Sequence, residues 1–590
     1  MKKIYVSILA AAFVAMPALA QENLQKEITL PKDFVPVVKK PVKKSALPRV
    51  LKPVKSDEGK VIGFTDWAEP TAVSVEIPTM LPYGYRTAHR FSNNRGYFDA
   101  GAGSQLNFVG SAGYRLVDDA SLKVDAWAQL NSTWHGKNSS PVSEPEKQQF
   151  CDNAFGVDLM KDFSKGQLDV AAKVHFDKFN YYGHTYVTGP QSNLWWDNKQ
   201  NFFETNVKAA WAGTVDVSRY HNISYKVGMN YNYAGYKYGI YIGSPSVVDG
   251  FDGAKEHHLQ AWLGASYAIE ASSSIGADFK FQYLNRSYCD LEAYNVPKTV
   301  KRNSSMLTIA PFYTYNGQNW VARLGVNVDL SFNDGTKFRL APNVQLSYEF
   351  TPGVTFFANA VGGKQLNTIS RMNAISRYFD PNAYYGNTFV PFDGEAGLKV
   401  GPFSGLNVKL FAGYGIAKDA LMPTFFGFSN NHLLNWDCKG LKAGATINYQ
   451  YRSLAELDLG FTFAPQSDDF EEGKTYSGYM LGMDHAKMVA NADLKLHLSK
   501  ALTLGVGCEL RNDRRYIMPH YNSDTEAPYY TYFFTDLNDV MNLHAGASFR
   551  FDKFLTIWVK AANLLNKQWD ILPYMGAQKL NVMGGIGLVF

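Results

Sequence analysis

Leu580-Asn581-Val582-Met583-Gly584-Gly585-Ile586-Gly587-Leu588-Val589-Phe590 closes the chain, and it alternates. Leu580, Val582, Ile586, Leu588 and Phe590 fall on one face with Gly584 among them; Asn581, Met583, Gly585, Gly587 and Val589 fall on the other. A period of two marks a strand, not a helix. The pattern recurs upstream. Leu122, Val124, Ala126, Ala128 and Leu130 oppose Lys123, Asp125, Trp127 and Gln129. Ile223, Tyr225, Val227, Met229, Tyr231 and Tyr233 oppose Ser224, Lys226, Asn230 and Asn232. Ala322, Leu324, Val326, Val328 and Leu330 oppose Arg323, Asn327, Asp329 and Ser331. Residues 275–283, with Lys280 among them, and 338–350 repeat it. Such runs exceed the soluble strand of about five or six residues and suit a tilted membrane strand of about 9–11.

Connections alternate in length as well. Short ones fall near 117–120, 164–166, 216–220, 270–273, 316–318, 351–353, 401–405, 452–455, 500 and 552–553. Long ones lie between them, at 136–149, 181–200, 238–255, 364–388, 419–437, 465–485 and 513–539. Ten short turns flanked by two strands each give twenty. The closing strand and a first strand over 95–103, bent at Gly103-Ser104, make about twenty-two. The expectation is an all-β fold, a transmembrane antiparallel β-barrel with apolar residues outward and charge inward. Lys123, Asp125, Lys226, Lys280, Arg323 and Asp329 are the candidate lumen-lining residues.

The 590 residues carry 15% aromatics, 36 Tyr and 39 Phe among them, as aromatic girdles at two membrane interfaces require. Lys2 and Lys3, an apolar run over 4–16 and Ala18-Leu19-Ala20 read as a cleaved signal peptide, residues 1–20. After residue 20 no apolar run is long enough for a membrane helix, so an exported chain of this kind spans a membrane only as a closed barrel. Residues 21–60 hold ten Lys/Arg against five Asp/Glu, and residues 1–20 add two more positive charges. The total is +5, so the remaining body is close to neutral, at −2, and nucleic-acid binding is not expected. Pro31, Pro36, Pro41, Pro48 and Pro53, with lysines between them, make residues 21–94 an extended arm, followed by the barrel over 95–590. Cys151, Cys289, Cys438 and Cys508 have no metal-ligand spacing, and sequence does not choose among their pairings.

The terminal Phe590 resembles the closing residue of bacterial outer-membrane barrels, which the barrel-assembly machinery recognises. Two further stretches resemble TonB-dependent outer-membrane receptors. One is Asn563-Leu564-Leu565-Asn566-Lys567 before the last strand; the other is Asp393-Gly394-Glu395-Ala396-Gly397-Leu398-Lys399 midway through the barrel. Glu27-Ile28-Thr29-Leu30 faintly resembles the segment such receptors offer to TonB. The resemblance implies the outer membrane of a Gram-negative bacterium, Bacteroidota in style, with lipid and lipopolysaccharide around the barrel. The departure is the plug. Only about 74 residues separate Gln21 from Arg95, too few for the folded plug of that family. A lumen of this size needs filling, whether by the arm, by inward-folded loops or by another protein.

No catalytic constellation is present: there is no G-x-S-x-G, H-E-x-x-H or Walker sequence, and no cofactor or metal site is expected. His257-His258 reads as interfacial and Asp468, Asp469, Glu471 and Glu472 as a solvated loop. Arg511, Asp513, Arg514 and Arg515 either face a surface anion or solubilise a loop. Leu421-Met422-Pro423-Thr424-Phe425-Phe426-Gly427-Phe428 is apolar where an outer loop should be wet. Phe425, Phe426 and Phe428 are therefore candidates for a partner or ligand surface, unless the segment folds into the lumen. The expected function is transport across the outer membrane by a non-enzymatic receptor-like barrel. The alternatives are a scaffold subunit of an outer-membrane complex, bound to a periplasmic or surface partner, and a soluble secreted all-β binding protein.

Overall fold

The computed structural model describes residues 94–136, 148–182, 199–218, 221–239, 252–290, 298–333, 335–380, 385–426, 430–467, 475–522, 529–573 and 575–590. The signal segment, the arm and Glu27–Leu30 lie outside the described residues, as do Phe428 and the acidic run 468–472.

Twenty-two strands close into one antiparallel barrel. The first, Gly96–Gly103, pairs on one side with Asn107–Asp118 and on the other with the last, Asn581–Val589. Closure leaves no unpaired edge, the condition for a sheet to sit in lipid. Phe590 completes the seam. Its N–H donates to the Gly96 carbonyl at 2.9 Å, the Gly96 N–H donates back at 2.7 Å, and its ring stacks on Tyr114.

All ten short turns expected from sequence fall where one strand ends and its neighbour begins, among them Phe163 to Gly166, Glu270 to Ser273 and Phe403 to Leu406. They share the end of the barrel that bears Gly96 and Phe590. At the opposite end the strands run on past the barrel proper, and there two expectations are corrected. Residues 419–437 are not a loop. Leu406–Phe426 and Asn430–Tyr451 stay paired up to Phe426 and Asn430, with a register shift between Ala417 and Ala420. Residues 513–539 are a hairpin, Arg514–Asn522 against Tyr529–Leu537. Asp513, at φ 51°, redirects the chain into it. The two extensions meet where Thr424 pairs with Ile517 and donates its hydroxyl to the Ile517 carbonyl at 3.0 Å.

This explains Leu421 and Met422 at the start of the apolar run. Leu421 packs with Met372, Phe379, Tyr385 and Leu433, while Met422 packs with Cys438, Tyr476 and Ile517. Burial against other segments of the far end, not against lipid, absorbs their hydrophobicity. Phe425 and Phe426 belong to the paired strand, not to a loop.

Across the barrel wall Val227, Leu263 and Phe279 share one face and remain exposed, an apolar outer surface. Their neighbours Lys226, Gly264 and Asp278 share the inner face. Lys226 reaches Asp278 at 3.1 Å over the intervening strand, because a Cβ at Gly264 would fall on both side chains. Inner ion pairs thus span two strand spacings where the middle residue is glycine.

Gly397, in the stretch that resembles the receptor family, serves closeness of another kind. A Cβ there would fall on the Leu410 carbonyl of the adjacent strand, which is backbone and cannot swing away. At Gly505 a Cβ meets nothing nearer than 4.0 Å. Gly397→Ala is therefore expected to cost about 1–3 kcal/mol of overpacking strain and Gly505→Ala almost nothing. The measurement is the temperature at which the barrel loses its faster gel migration. Equal shifts for the two variants would refute the packing argument.

Candidate functional site, a polar cavity beneath a latched loop

Four strands, Lys199–Asp216, Asn222–Tyr236, Lys255–Glu270 and Ser273–Asp290, present inner residues in level rungs. From the far end downward the first rung is Glu204, Ala234, Glu256 and Arg286; the second is Asn206, Asn232, His258 and Leu284. The third is Lys208, Asn230, Gln260 and Gln282, and the fourth is Ala210, Gly228, Trp262 and Lys280. Period-two alternation on paired strands stacks the amides into a ladder. Asn206 donates to Asn232 at 3.3 Å and Gln260 to Gln282 at 3.2 Å.

A loop folds over this wall and carries the helix Ile369–Ile375, whose N-cap Thr368 accepts from the Arg371 N–H at 3.2 Å. Between the loop and the ladder lies a cavity of about 440 Å³, lined by the amides, His258, Lys280, Lys364 and Arg371. It can offer a ligand many neutral hydrogen bonds and several cations.

The loop is latched at both ends. The carboxylate of Glu256, fully buried, accepts from Arg286 Nε at 3.0 Å, Arg286 Nη2 at 2.6 Å and the Ile369 N–H at 3.0 Å. Arg286 also donates to the Asn367 carbonyl at 2.5 Å. Beyond the helix Arg377 spans Asp177 at 2.7 Å and Asp152 at 3.2 Å. Ser370 donates to Glu204, which with Asp152 flanks His175. Above, Ile369 and Tyr378 join Phe179, Tyr182, Phe202, Tyr236, Tyr516 and Met575 in one apolar cluster, so segments distant in sequence interlock over the mouth.

A second clasp holds residues 478–487. Arg511 and Arg514 both bind Asp484, the latter at 2.6 Å, and Arg515 N–H donates to the Asp484 carbonyl at 2.8 Å. Burial alone would raise the Asp484 carboxyl, but its hydrogen bonds and charge pairing with Arg511, then Arg514, outweigh it and hold it down at about 2. The arginines at 511–515 are thus not a free surface patch. His485, fully buried between Tyr476 and Phe534, is pushed down to about 4 by burial, against the pull of Asp484 and with the push of Arg515.

No protein-family profile matches the sequence, and no curated protein matches it by sequence comparison. Solved structures do match in shape. The siderophore receptor PirA from Acinetobacter baumannii aligns over 85% of this chain and 81% of its own, with a TM-score of 0.62 at 9% identity. The ferric enterobactin receptor PfeA from Pseudomonas aeruginosa, as a double mutant, aligns over 84% and 80%, with a TM-score of 0.59 at 10% identity. The copper transporter OprC aligns over 85% and 82%, with a TM-score of 0.57 at 10% identity. The barrel has the fold of TonB-dependent receptors.

In this receptor-type barrel the six candidate lumen residues scatter over several levels. Lys280 borders the cavity. Lys226 and Arg323 both pair with Asp278, Arg323 at 3.0 Å. Asp329, buried, accepts from the Thr308 hydroxyl at 2.6 Å and the Lys364 N–H at 2.7 Å, and so positions a cavity residue. Asp125 pairs with Arg115 at 2.8 Å near the Asp118–Leu122 turn, with Lys123 two residues along. Of the aromatic candidates, Phe425 and Phe426 end the paired strand, opposite Asn431 and Asn430. His257 and His258 point to opposite faces, His257 to Tyr231 at 2.8 Å and His258 into the cavity, so the two do not act together on one ion. Sequence reading missed Glu256, Arg286 and the helix. The visible signal was the period-two run of amides at Asn230, Asn232, Gln260 and Gln282.

Arg286→Ala leaves the Glu256 carboxylate buried without its counterion, at about 3–5 kcal/mol. Hydrogen exchange over 366–376 should accelerate accordingly, and Glu256→Leu in the same chain should restore much of the protection. The second clasp responds to pH. In an opened loop His485 protonates near its ordinary value of about 6.5; in the closed loop it stays neutral to about 4. Closure is strongest above about pH 6.5, weakens by about 3 kcal/mol as pH falls to 4, and then levels off. Asp484 adds stability above about pH 4 that is lost as pH falls through about 2. Protection of the 478–487 amides, corrected for intrinsic rate, should drop between pH 7 and 4.5, and His485→Phe should abolish that drop.

Proposed function

We propose that the chain is an outer-membrane transporter of the receptor type, with its termini in the periplasm and its latched loops at the cell surface. The observation that carries this is the polar cavity lying inside a closed barrel and beneath an interlocked mouth. A cavity on an inner wall serves a solute on its way through; a binding scaffold would expose its recognition surface outside. The solved barrels of like fold are receptors for siderophores and a copper transporter by name, which favours solute movement without naming the solute.

On this reading residues 1–20 direct export, residues 21–94 form a periplasmic arm, and Glu27–Leu30 is where TonB engages. Phe590 is the signal read by the barrel-assembly machinery. The chain performs no covalent chemistry; its work is selection and gating.

The test is an in-frame chromosomal deletion, screened for growth on single sources of carbon, phosphorus and iron. Uptake predicts loss of growth on one class, restored by the wild-type chain and not by one lacking residues 27–30. No loss on any source, with a partner co-purifying in fixed ratio, would establish the scaffold instead.

A further inference from the structure

We infer that the cavity takes an anionic saccharide: a hydroxyl-rich ligand of about disaccharide size bearing carboxylate or a similar acidic group. This rests on reading the cavity as the station of the transported solute.

The first reason is charge. Elsewhere on the inner wall several basic groups meet carboxylates, Lys226 and Arg323 at a shared Asp278, Lys409 at Glu395 and Lys442 at Asp393, while Lys208 and Lys399 lie over the Trp262 and Phe357 rings. At the cavity, Lys280 and Arg371 do not. Among the described residues neither Lys280 nor Arg371 has a carboxylate within ion-pair distance; the Arg371 guanidinium donates to the Asn367 side-chain oxygen, at 3.1 Å. Lys364 donates to Ser331 at 2.7 Å. The one carboxylate in the lining, Glu204, is already taken by Ser370 and His175. Two cations, Lys280 on a strand and Arg371 on the helix, therefore border the cavity with no carboxylate in direct contact; Asp329, the acid that acts on Lys280, stands beyond ion-pair distance and is held by Thr308 and the Lys364 N–H. An anion supplies that contact.

The second reason is the chemistry between those cations. Side-chain amides both donate and accept, as does a sugar hydroxyl, and here they come in adjacent rungs. Asn232, His258 and Gln282 are buried and so held in place, and the buried side-chain amide oxygen of Asn230, Oδ1, accepts no hydrogen bond from the described residues. Trp262 stands one rung below, directly beside Lys280, with its ring over Gly228, where a Cβ would strike it. Its ring lies outside the cavity lining and carries Lys208 over it, so the contacts to a sugar come from the amides. The third reason is size. About 440 Å³ lies within the range of about 300–1,000 Å³ for small-molecule sites, and a bare phosphate would leave most of the ladder unused.

The experiment is titration calorimetry on the purified full chain in detergent with digalacturonate, its neutral analogue galactobiose, and inorganic phosphate. It is repeated on the Arg286→Ala chain so that a closed mouth does not hide the site. Digalacturonate should bind at least about tenfold more tightly than galactobiose, with phosphate weakest. Lys280→Gln and Arg371→Gln should each weaken digalacturonate about tenfold and leave galactobiose unchanged; heat-modifiable migration confirms that both variants fold. Equal affinity for the two saccharides, binding of phosphate as tight as that of digalacturonate, indifference to both substitutions, or no binding at millimolar concentration would each overturn the inference. Failure of the transport reading looks different: digalacturonate binds as expected, but deletion of the gene leaves growth and uptake untouched.

Discussion

Everything in this molecule depends on one strand pairing, Gly96–Gly103 with Asn581–Val589. Residues nearly five hundred apart in sequence must meet before any backbone group on either edge is satisfied. Until they do, the sheet has two open edges that lipid cannot hydrate. Sequence supports the joint at its last atom: Phe590 exchanges both backbone hydrogen bonds with Gly96 and lays its ring on Tyr114. Once the ring is shut, the inner face is freed from the demands of lipid. That is why charge and amide can be concentrated there while Val227, Leu263 and Phe279 remain outside.

The inner wall then solves a second problem, how to hold many charges in a confined space. Paired ions are spread over adjacent strands, and glycine is placed where two side chains must meet across a third strand. Gly264 does this for Lys226 and Asp278; Gly507 does it for Asp493 and His544, 2.9 Å apart. Matched pairs fix the wall without attracting solute. At the cavity under the helix Ile369–Ile375, Lys280 and Arg371 stand without a carboxylate in contact, beside a run of amides, and it is that combination that marks the region off from the rest of the wall.

Much of the barrel was legible in the sequence because barrel strands are local objects. Alternation exposes each strand's two faces, and tight turns such as Gly401–Gly405 mark where strands reverse. The ten turns and the parity of the count follow from such signals. The far end was not legible, because its stability comes from contacts between distant segments. Leu421 and Met422 looked like an exposed apolar loop, since Phe379, Tyr385 and Ile517, which cover them, lie far along the chain. The latch failed to show for the same reason: Glu256, Arg286 and Ile369 lie on three segments, and none of them is unusual in its own neighbourhood. Arg511 and Arg514 read as a basic patch because Asp484, which neutralises them, precedes them by a hairpin of two strands, Met488–His497 and Leu502–Asn512. Lys280 was legible as an inward residue, but the distance that keeps every carboxylate out of contact with it is a property of the folded wall alone.

The physical character of the latch bears on how such a mouth can open. A buried ion pair adds little net stability, since the hydration it forfeits on closing roughly offsets the attraction it gains. Opened into water as a whole, Glu256 and Arg286 recover that hydration, so the pair resists separation much less than its short distances imply. Breaking only one side is costly, because the other charge stays buried. The latch therefore favours all-or-none release of the loop over partial fraying. Closure itself must come chiefly from the apolar cluster around Ile369, Tyr378 and Phe202, whose burial is favourable without directional demands. Ions that set the register and hydrophobic contacts that set the equilibrium give a mouth with two definite positions. A path through a wide barrel requires that property if it is to pass a solute without leaking.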